Sequence, residues 1–323
     1  MSDPNFVPPQ ISTSRKANSA DQAPDQRSKA DQHGDRLKSI GLLLIALVCF
    51  SLLDTIAKYV TTMSNVPIEQ TIWLRFLGQF VFVMALVPAF GIMSLGALFQ
   101  TVQLRAQIVR SVLMAVTTAF NFLALKYLRL DQTITIFFLS SLLVPLVAGP
   151  VLGEWIGWRR LVAIIIGFVG ILVVVRPGFG DVHPAVIYSF AAVAAYVAFI
   201  LLTRQIAGND PPFVTLHYSL IVGTLVGAPI ALSVWQPPGD MFTWFLLGMM
   251  GVFGGVGHYL LIVAHRLAPA SILAPFIYFQ IITMVILGYL VFEDLPDVWT
   301  AIGASIVVSS GLYLIHRERV TKE

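Results

Sequence analysis

After residue 38 the chain alternates between long apolar runs and short polar breaks. The apolar runs cover 39–60, 68–89, 106–126, 131–152, 160–176, 184–204, 212–235, 241–264, 270–291 and 297–315. Each is near the roughly 20 residues a helix needs to cross ~30 Å of hydrocarbon. The pattern therefore predicts an all-α polytopic membrane protein with ten transmembrane helices, its charge gathered in the connections.

The pattern also repeats. The stretch Asn121–Pro177 is answered by His258–His316, with Ala264 matching Ala124, Leu267 matching Tyr127 and Glu293 matching Glu154. The run Gly303–Gly311 matches Gly167 and Gly170. Two weakly similar apolar halves in one chain mark an internal duplication. Five helices per half is odd, so the second half is expected upside down relative to the first. The expected units are a disordered cytoplasmic tail over 1–38, repeats over 39–176 and 184–315, and a short cytoplasmic tail over 316–323.

Composition sharpens this picture. The chain is 57% hydrophobic and 11% charged, where soluble domains carry about 25% charged residues; mean hydropathy is +0.82. Residues 1–36 are rich in Ser, Gln, Asp and Pro and cannot bury enough surface to order. They hold no apolar segment, so the first span is expected to direct insertion, with no cleavable signal peptide. With the N-terminus inside, the inner segments hold Arg15, Lys16, Arg27, Lys29, Arg36, Lys38, Arg105, Arg159, Arg160, Arg204, Arg266, Arg317, Arg319 and Lys322. The outer ones hold Lys126, Arg129 and Arg176, with Lys58 near an outer helix end. This bias predicts both termini in the cytoplasm. The net charge of +3 sits in the breaks and gives no footprint for nucleic acid.

Small residues and prolines are expected to shape the packing. Gly248, Gly251, Gly254, Gly255 and Gly257 in the eighth span, and Ser111, Ala115 and Ala119 in the third, allow close helix approach. Pro145 and Pro275 fall within the fourth and ninth spans, where each removes a backbone hydrogen bond; both are hinge candidates.

Several motifs together resemble the EamA-type permeases of the drug/metabolite transporter superfamily. These are Ala124–Leu128 (ALKYL), Gly153–Glu154, Trp158–Arg160 (WRR) and Arg176–Gly178 (RPG). AHRLAPASILAPF and a later FED resemble the second domain of that family, and Asp54–Tyr59 (DTIAKY) with Leu74–Phe76 fit its first two helices. Arg129 departs from the pattern, which often has proline there. The resemblance implies a bacterial inner-membrane carrier with a central cavity between two halves, no cofactor and no ATPase domain. Substrates across the family include amino acids, purines, S-adenosylmethionine and riboflavin.

Ionisable side chains inside apolar spans are costly and mark functional sites by default. Asp54 and Arg75 lie about equally far from the first hairpin turn, roughly 10 Å below the outer surface at ~1.5 Å per residue. They are expected to form a pair, structural or functional, with Lys58 and Glu69 as a similar set nearer the rim. Trp73, Gln79, Asn121, Tyr188, Tyr196, His217, Tyr218, His258, Tyr259, Tyr278 and Gln280 are the further candidates for substrate binding or gating. Such rings and uncharged polar groups suit an amphipathic, ring-bearing metabolite. The repeat offset carries Asp54 to Tyr196 and Arg75 to His217, which predicts an inner gate with a Tyr196–His217 hydrogen bond open to proton coupling.

Enzymatic chemistry has no foothold. Cys49 stands alone, and no phosphate loop, zinc helix or paired cysteines occur, so neither a cofactor nor a metal is expected. A receptor or scaffold would need a soluble domain or long loops, yet the longest connection lies near 90–105. The reading is a permease acting on a small organic metabolite by alternating access, as monomer or homodimer, downhill or coupled to protons or another solute. The leading substrate is a vitamin- or nucleoside-like heteroaromatic compound such as riboflavin, moving inward; the alternative is export of amino acids or toxic amphiphiles.

Overall fold

The computed structural model describes residues 29–322 apart from 154, 156, 177–182, 207, 208 and 269. Among these residues ten helical segments are long and apolar enough to cross a membrane, and no strand occurs. The helices are α1 (Lys29–Thr62), α2 (Ile68–Ala89), α3 (Leu104–Tyr127), α4 (Leu130–Phe137), α5 (Leu139–Leu152), α6 (Trp158–Val175), α7 (Val186–Gln205), α8 (Pro212–Ser233), α9 (Met241–Leu267), α10 (Ala270–Leu273), α11 (Phe279–Phe292) and α12 (Val298–Lys322). A 3₁₀ turn, Leu95–Phe99, lies between α2 and α3.

The expected disordered tail needs correction at its end. Residues 29–38 are helical and continue into the first span as α1. A polar stretch adjoining an apolar helix adds one hydrogen bond per residue without a new nucleus, so the helix propagates backwards. The part of the tail before residue 29 lies outside the described residues, as does Glu154.

The fourth and ninth spans are broken, at corresponding places. The fourth divides into α4 and α5 at Phe138; the ninth enters through a 3₁₀ turn, Ala274–Tyr278, before α11. The rings of Phe138 and Tyr278 meet at 4.9 Å, so the two breaks face each other. Pro275 lies within its break, whereas Pro145 lies inside the continuous α5, beyond the break. Both broken spans end in a left-handed residue, Gly153 (φ 76) and Glu293 (φ 58). At Arg129, the departure from the family pattern, the guanidinium bonds Asp131 bidentately (3.1 and 2.8 Å) where α4 begins.

Contacts between the halves follow one rule. α1 packs along α9 and α3 along α7; α2 packs on α8 and α9, and α3 on α8; α6 packs along α12 and α4 on α11. Exchanging each span for its counterpart five places on leaves this set unchanged, as expected of two similar halves about a two-fold axis. Glycines make the closest approaches. A Cβ on Gly251 would lie 2.5 Å from the Gly78 carbonyl carbon, and one on Gly303 would lie 2.6 Å from the Gly170 oxygen. Ser310 donates to the Ala163 carbonyl oxygen, so as α6 advances from 163 to 170 its partner on α12 falls from 310 to 303. These two counterpart helices run antiparallel. The same holds for α2 and α8, where Trp73 meets Gly227 and Phe76 meets Gly223.

Candidate functional site

The interior is built from α1, α2, α3 and α9. Asp54 on α1 is half-buried, while Arg75 and Gln79, one turn apart on α2, are buried. Thr118 and Asn121 present the facing turn of α3. The Arg75 guanidinium donates from Nη1 to Thr118 Oγ1 at 2.9 Å and lies 5.0 Å from the ring of Phe76 and 5.7 Å from that of Phe122. Asn121 Nδ2 donates to Asp54 Oδ1 at 3.5 Å. Asp54 and Arg75 interact only across space. The expected direct ion pair does not form, because each charged group is turned towards α3 instead.

On the α9 side, Gln79 Nε2 donates to the Gly254 carbonyl oxygen (3.2 Å) and meets His258 Nδ1 at 3.3 Å. Gly254 permits this approach, since a Cβ there would sit 2.9 Å from Gln79 Oε1. Phe50 packs edge-on against His258 at 4.9 Å. Two buried polar atoms here have no partner, Arg75 Nε and Gln79 Oε1. Buried atoms of this kind normally bond to protein or ordered water, and no protein group occupies these two, which leaves them free to meet a polar group in the interior.

Lys58 has different company from that expected. Its Nζ donates to the Leu128 carbonyl oxygen (2.9 Å) and to Asp294 Oδ2 (3.4 Å), and lies 4.8 Å from the ring of Phe292. It therefore ties α1 to the end of α3 and to the α11–α12 connection, in place of the set with Glu69. At the same end Arg176 pairs with Asp297, whose Oδ1 caps α12 by accepting from Thr300 N at 2.7 Å. Burial works against the charged form of Asp297, but the Thr300 bonds and the Arg176 guanidinium outweigh it and hold the carboxyl below its usual pKa.

The remaining candidates are spread along the bundle. Trp73 donates from Nε1 to the Thr224 oxygen at 3.0 Å and packs edge-on to Trp235, stitching α2 to α8. Tyr188 stacks on Phe120, and Tyr196 lies between Phe137 and Phe199. Tyr259 meets Phe90 and Phe213, while Tyr278 reaches Ser141 Oγ at 3.5 Å. The backbone oxygen of Gln280 accepts from Thr283, whose hydroxyl also meets that of Ser51. His217 is fully buried between the rings of Phe80 and Phe99, and neither ring nitrogen has a partner. The expected Tyr196–His217 hydrogen bond is absent: Tyr196 lies against Phe137 and Phe199, whereas His217 lies between Phe80 and Phe99. Tyr218 donates to the Phe99 oxygen at 2.8 Å.

Sequence reasoning missed a polar network at the opposite end from Lys58. Asp210 accepts from Thr101 Oγ1, from Gln107 Nε2 at 2.8 Å and from Val102 N at 3.2 Å. Arg110 donates to Thr203 (2.7 Å), to the Thr215 oxygen (3.0 Å) and to Ser219 (2.9 Å), with its guanidinium 4.5 Å from the Phe199 ring. Burial raises the Asp210 pKa, but its bonds from Thr101, Gln107 and Val102 outweigh that and set it below the ordinary value. Arg110 is a cation within the apolar run 106–126 and so stands out in the pattern, whereas Asp210, in a loop, carries no signal. A separate outward groove of about 1000 Å³ follows the α6–α12 seam from Trp158 and Arg159 to Pro296. Its lining is largely apolar and faces away from the polar interior, so the interior is the better candidate site. No cluster of metal-binding side chains occurs among the described residues.

A ten-span helical bundle of two similar halves enclosing a polar, incompletely satisfied interior has the build of a membrane carrier. The chain belongs to the EamA-like transporter family, whose model matches residues 37–176 and again 183–316. It is 26% identical to the S-adenosylmethionine uptake transporter of Rickettsia conorii, over 88% of this chain and 94% of that protein. It is also 24% identical to the riboflavin transporter of Vibrio cholerae, over 85% of this chain and 92% of the other. One solved crystal structure, 17% identical, matches with a TM-score of 0.60 over 84% of this chain and 96% of its own, a likeness of fold.

Proposed function

We propose that the protein is an inner-membrane permease that takes up a nucleoside- or vitamin-like heteroaromatic metabolite by alternating access of two inverted repeats. One observation carries this reading: charged and uncharged polar groups of α1, α2, α3 and α9 converge in the bundle with buried donors and acceptors left open. The antiparallel course of α6 and α12, and of α2 and α8, supports inversion. The bias of basic residues supports both termini in the cytoplasm; on that orientation the Lys58–Asp294 end is periplasmic and the Asp210–Arg110 end cytoplasmic. Each end then holds a polar lock across the halves, and alternating access means releasing one while keeping the other. The relatives named for S-adenosylmethionine and riboflavin uptake support the ring-bearing substrate and the inward direction.

Reconstituted alone in liposomes, the purified chain should take up labelled S-adenosylmethionine or riboflavin saturably and without ATP. Uptake of both no faster than in protein-free liposomes would overturn the reading.

A further inference from the structure

Asp54 and Arg75 sit on adjacent helices, where a direct ion pair would offset part of the cost of burying either charge alone. They decline it. A guanidinium offers five N–H donors and a carboxylate about four acceptor positions, yet one hydrogen bond reaches each here, and that at Asp54 is long, at 3.5 Å. Arg75 Nε and Gln79 Oε1 are buried and unpartnered. Thr118 and Asn121, three residues apart on α3, divide the interior into an anion-seeking side at Arg75 and a cation-seeking side at Asp54. Asp54 is half-buried and so keeps some surface open to an occupant.

We infer that the occupant carries both charges: a carboxylate that pairs with Arg75 and Thr118, and an ammonium or sulfonium that pairs with Asp54 and Asn121. Planar bidentate pairing of Arg75 with a carboxylate would use donors now left over. The substrate class is thus a heteroaromatic metabolite with an amino-acid-type head, and a compound with a ring system alone would leave both charges unmet. This narrows the proposed function and rests on it.

The test uses the purified full-length chain, with binding read by thermal shift and uptake read in liposomes. The probes are S-adenosylmethionine, S-adenosylhomocysteine, methylthioadenosine (which lacks the amino-acid head), decarboxylated S-adenosylmethionine and riboflavin. The two compounds with the complete head should bind at least tenfold more tightly than the other three. Arg75→Gln should weaken S-adenosylhomocysteine at least tenfold while leaving decarboxylated S-adenosylmethionine within twofold, a selective effect that a merely structural arginine would not give. Equal binding of methylthioadenosine or riboflavin, or equal losses for both ligands in Arg75→Gln, would overturn the inference. Should Arg75→Gln fail to fold, Asp54→Asn replaces it, with loss of ligands in proportion to their cationic group as the expected result. Head-selective binding without uptake would leave the inference standing and remove the carrier reading.

Discussion

Two glycines on α9, 248 and 251, allow the packing argument to be tested with one substitution made twice. A Cβ at Gly251 would fall 2.5 Å from the Gly78 carbonyl carbon, 2.7 Å from its Cα and 2.9 Å from its oxygen. Favourable carbon contacts lie near 3.5–4.0 Å, so α2 and α9 must part by about 1 Å. Backbone atoms cannot step aside as a flexible side chain can. Overpacking of this kind costs roughly 1–3 kcal/mol, set against a helix-propensity gain of up to about 1 kcal/mol for Gly→Ala. At Gly248 a Cβ meets nothing within 4 Å, so only the gain remains. Thermal unfolding of the purified protein in detergent should thus show Gly251→Ala less stable than wild type and Gly248→Ala equal or slightly more stable. The propensity gain is common to both, so the two separate by the overpacking cost alone, roughly 1–3 kcal/mol, a few degrees in Tm. If both behave alike, the α2–α9 crossing is not glycine-dependent and the close approach is wrong.

Asp210→Asn should destabilise the protein at neutral pH by weakening the bonds from Thr101, Gln107 and Val102. Because the folded carboxyl titrates below its ordinary value of about 3.9, the wild-type advantage is complete above that pH and fades as pH falls below it. A chemical-denaturation series at pH 3–7 checks this, and a difference that shrinks on raising the pH would contradict it. A reporter fused after Arg319 should be active only in its cytoplasmic form; periplasmic activity would break the assigned orientation.

The ten spans were legible because hydrocarbon thickness sets their length and every connection carries polar residues. The break at Phe138 was not, since neither proline nor glycine marks it and Pro145, the visible breaker, sits inside α5. Asp54 and Arg75 stood out as charges in apolar runs, but Thr118, which holds Arg75, looked like any hydroxyl that bonds its own helix. Lys58 was assigned to Glu69 on grounds of local spacing, whereas its partner Asp294 lies 236 residues away. Only the packing of two halves brings such positions together.

The antiparallel seam of α6 and α12 also bears on how the protein is made. Gly167 and Gly170 give α6 a shallow face shaped to receive Ile306, Val307 and Ser310. Those residues belong to α12, which leaves the ribosome after the nine other spans. Until then α6 must wait in the bilayer with lipid against Gly170, whose neighbours all lie on α12, and the fold cannot close from the N-terminus forward. Any chain released before α12 is therefore exposed along this seam, a flaw that membrane quality control could recognise while the first nine spans are otherwise in place.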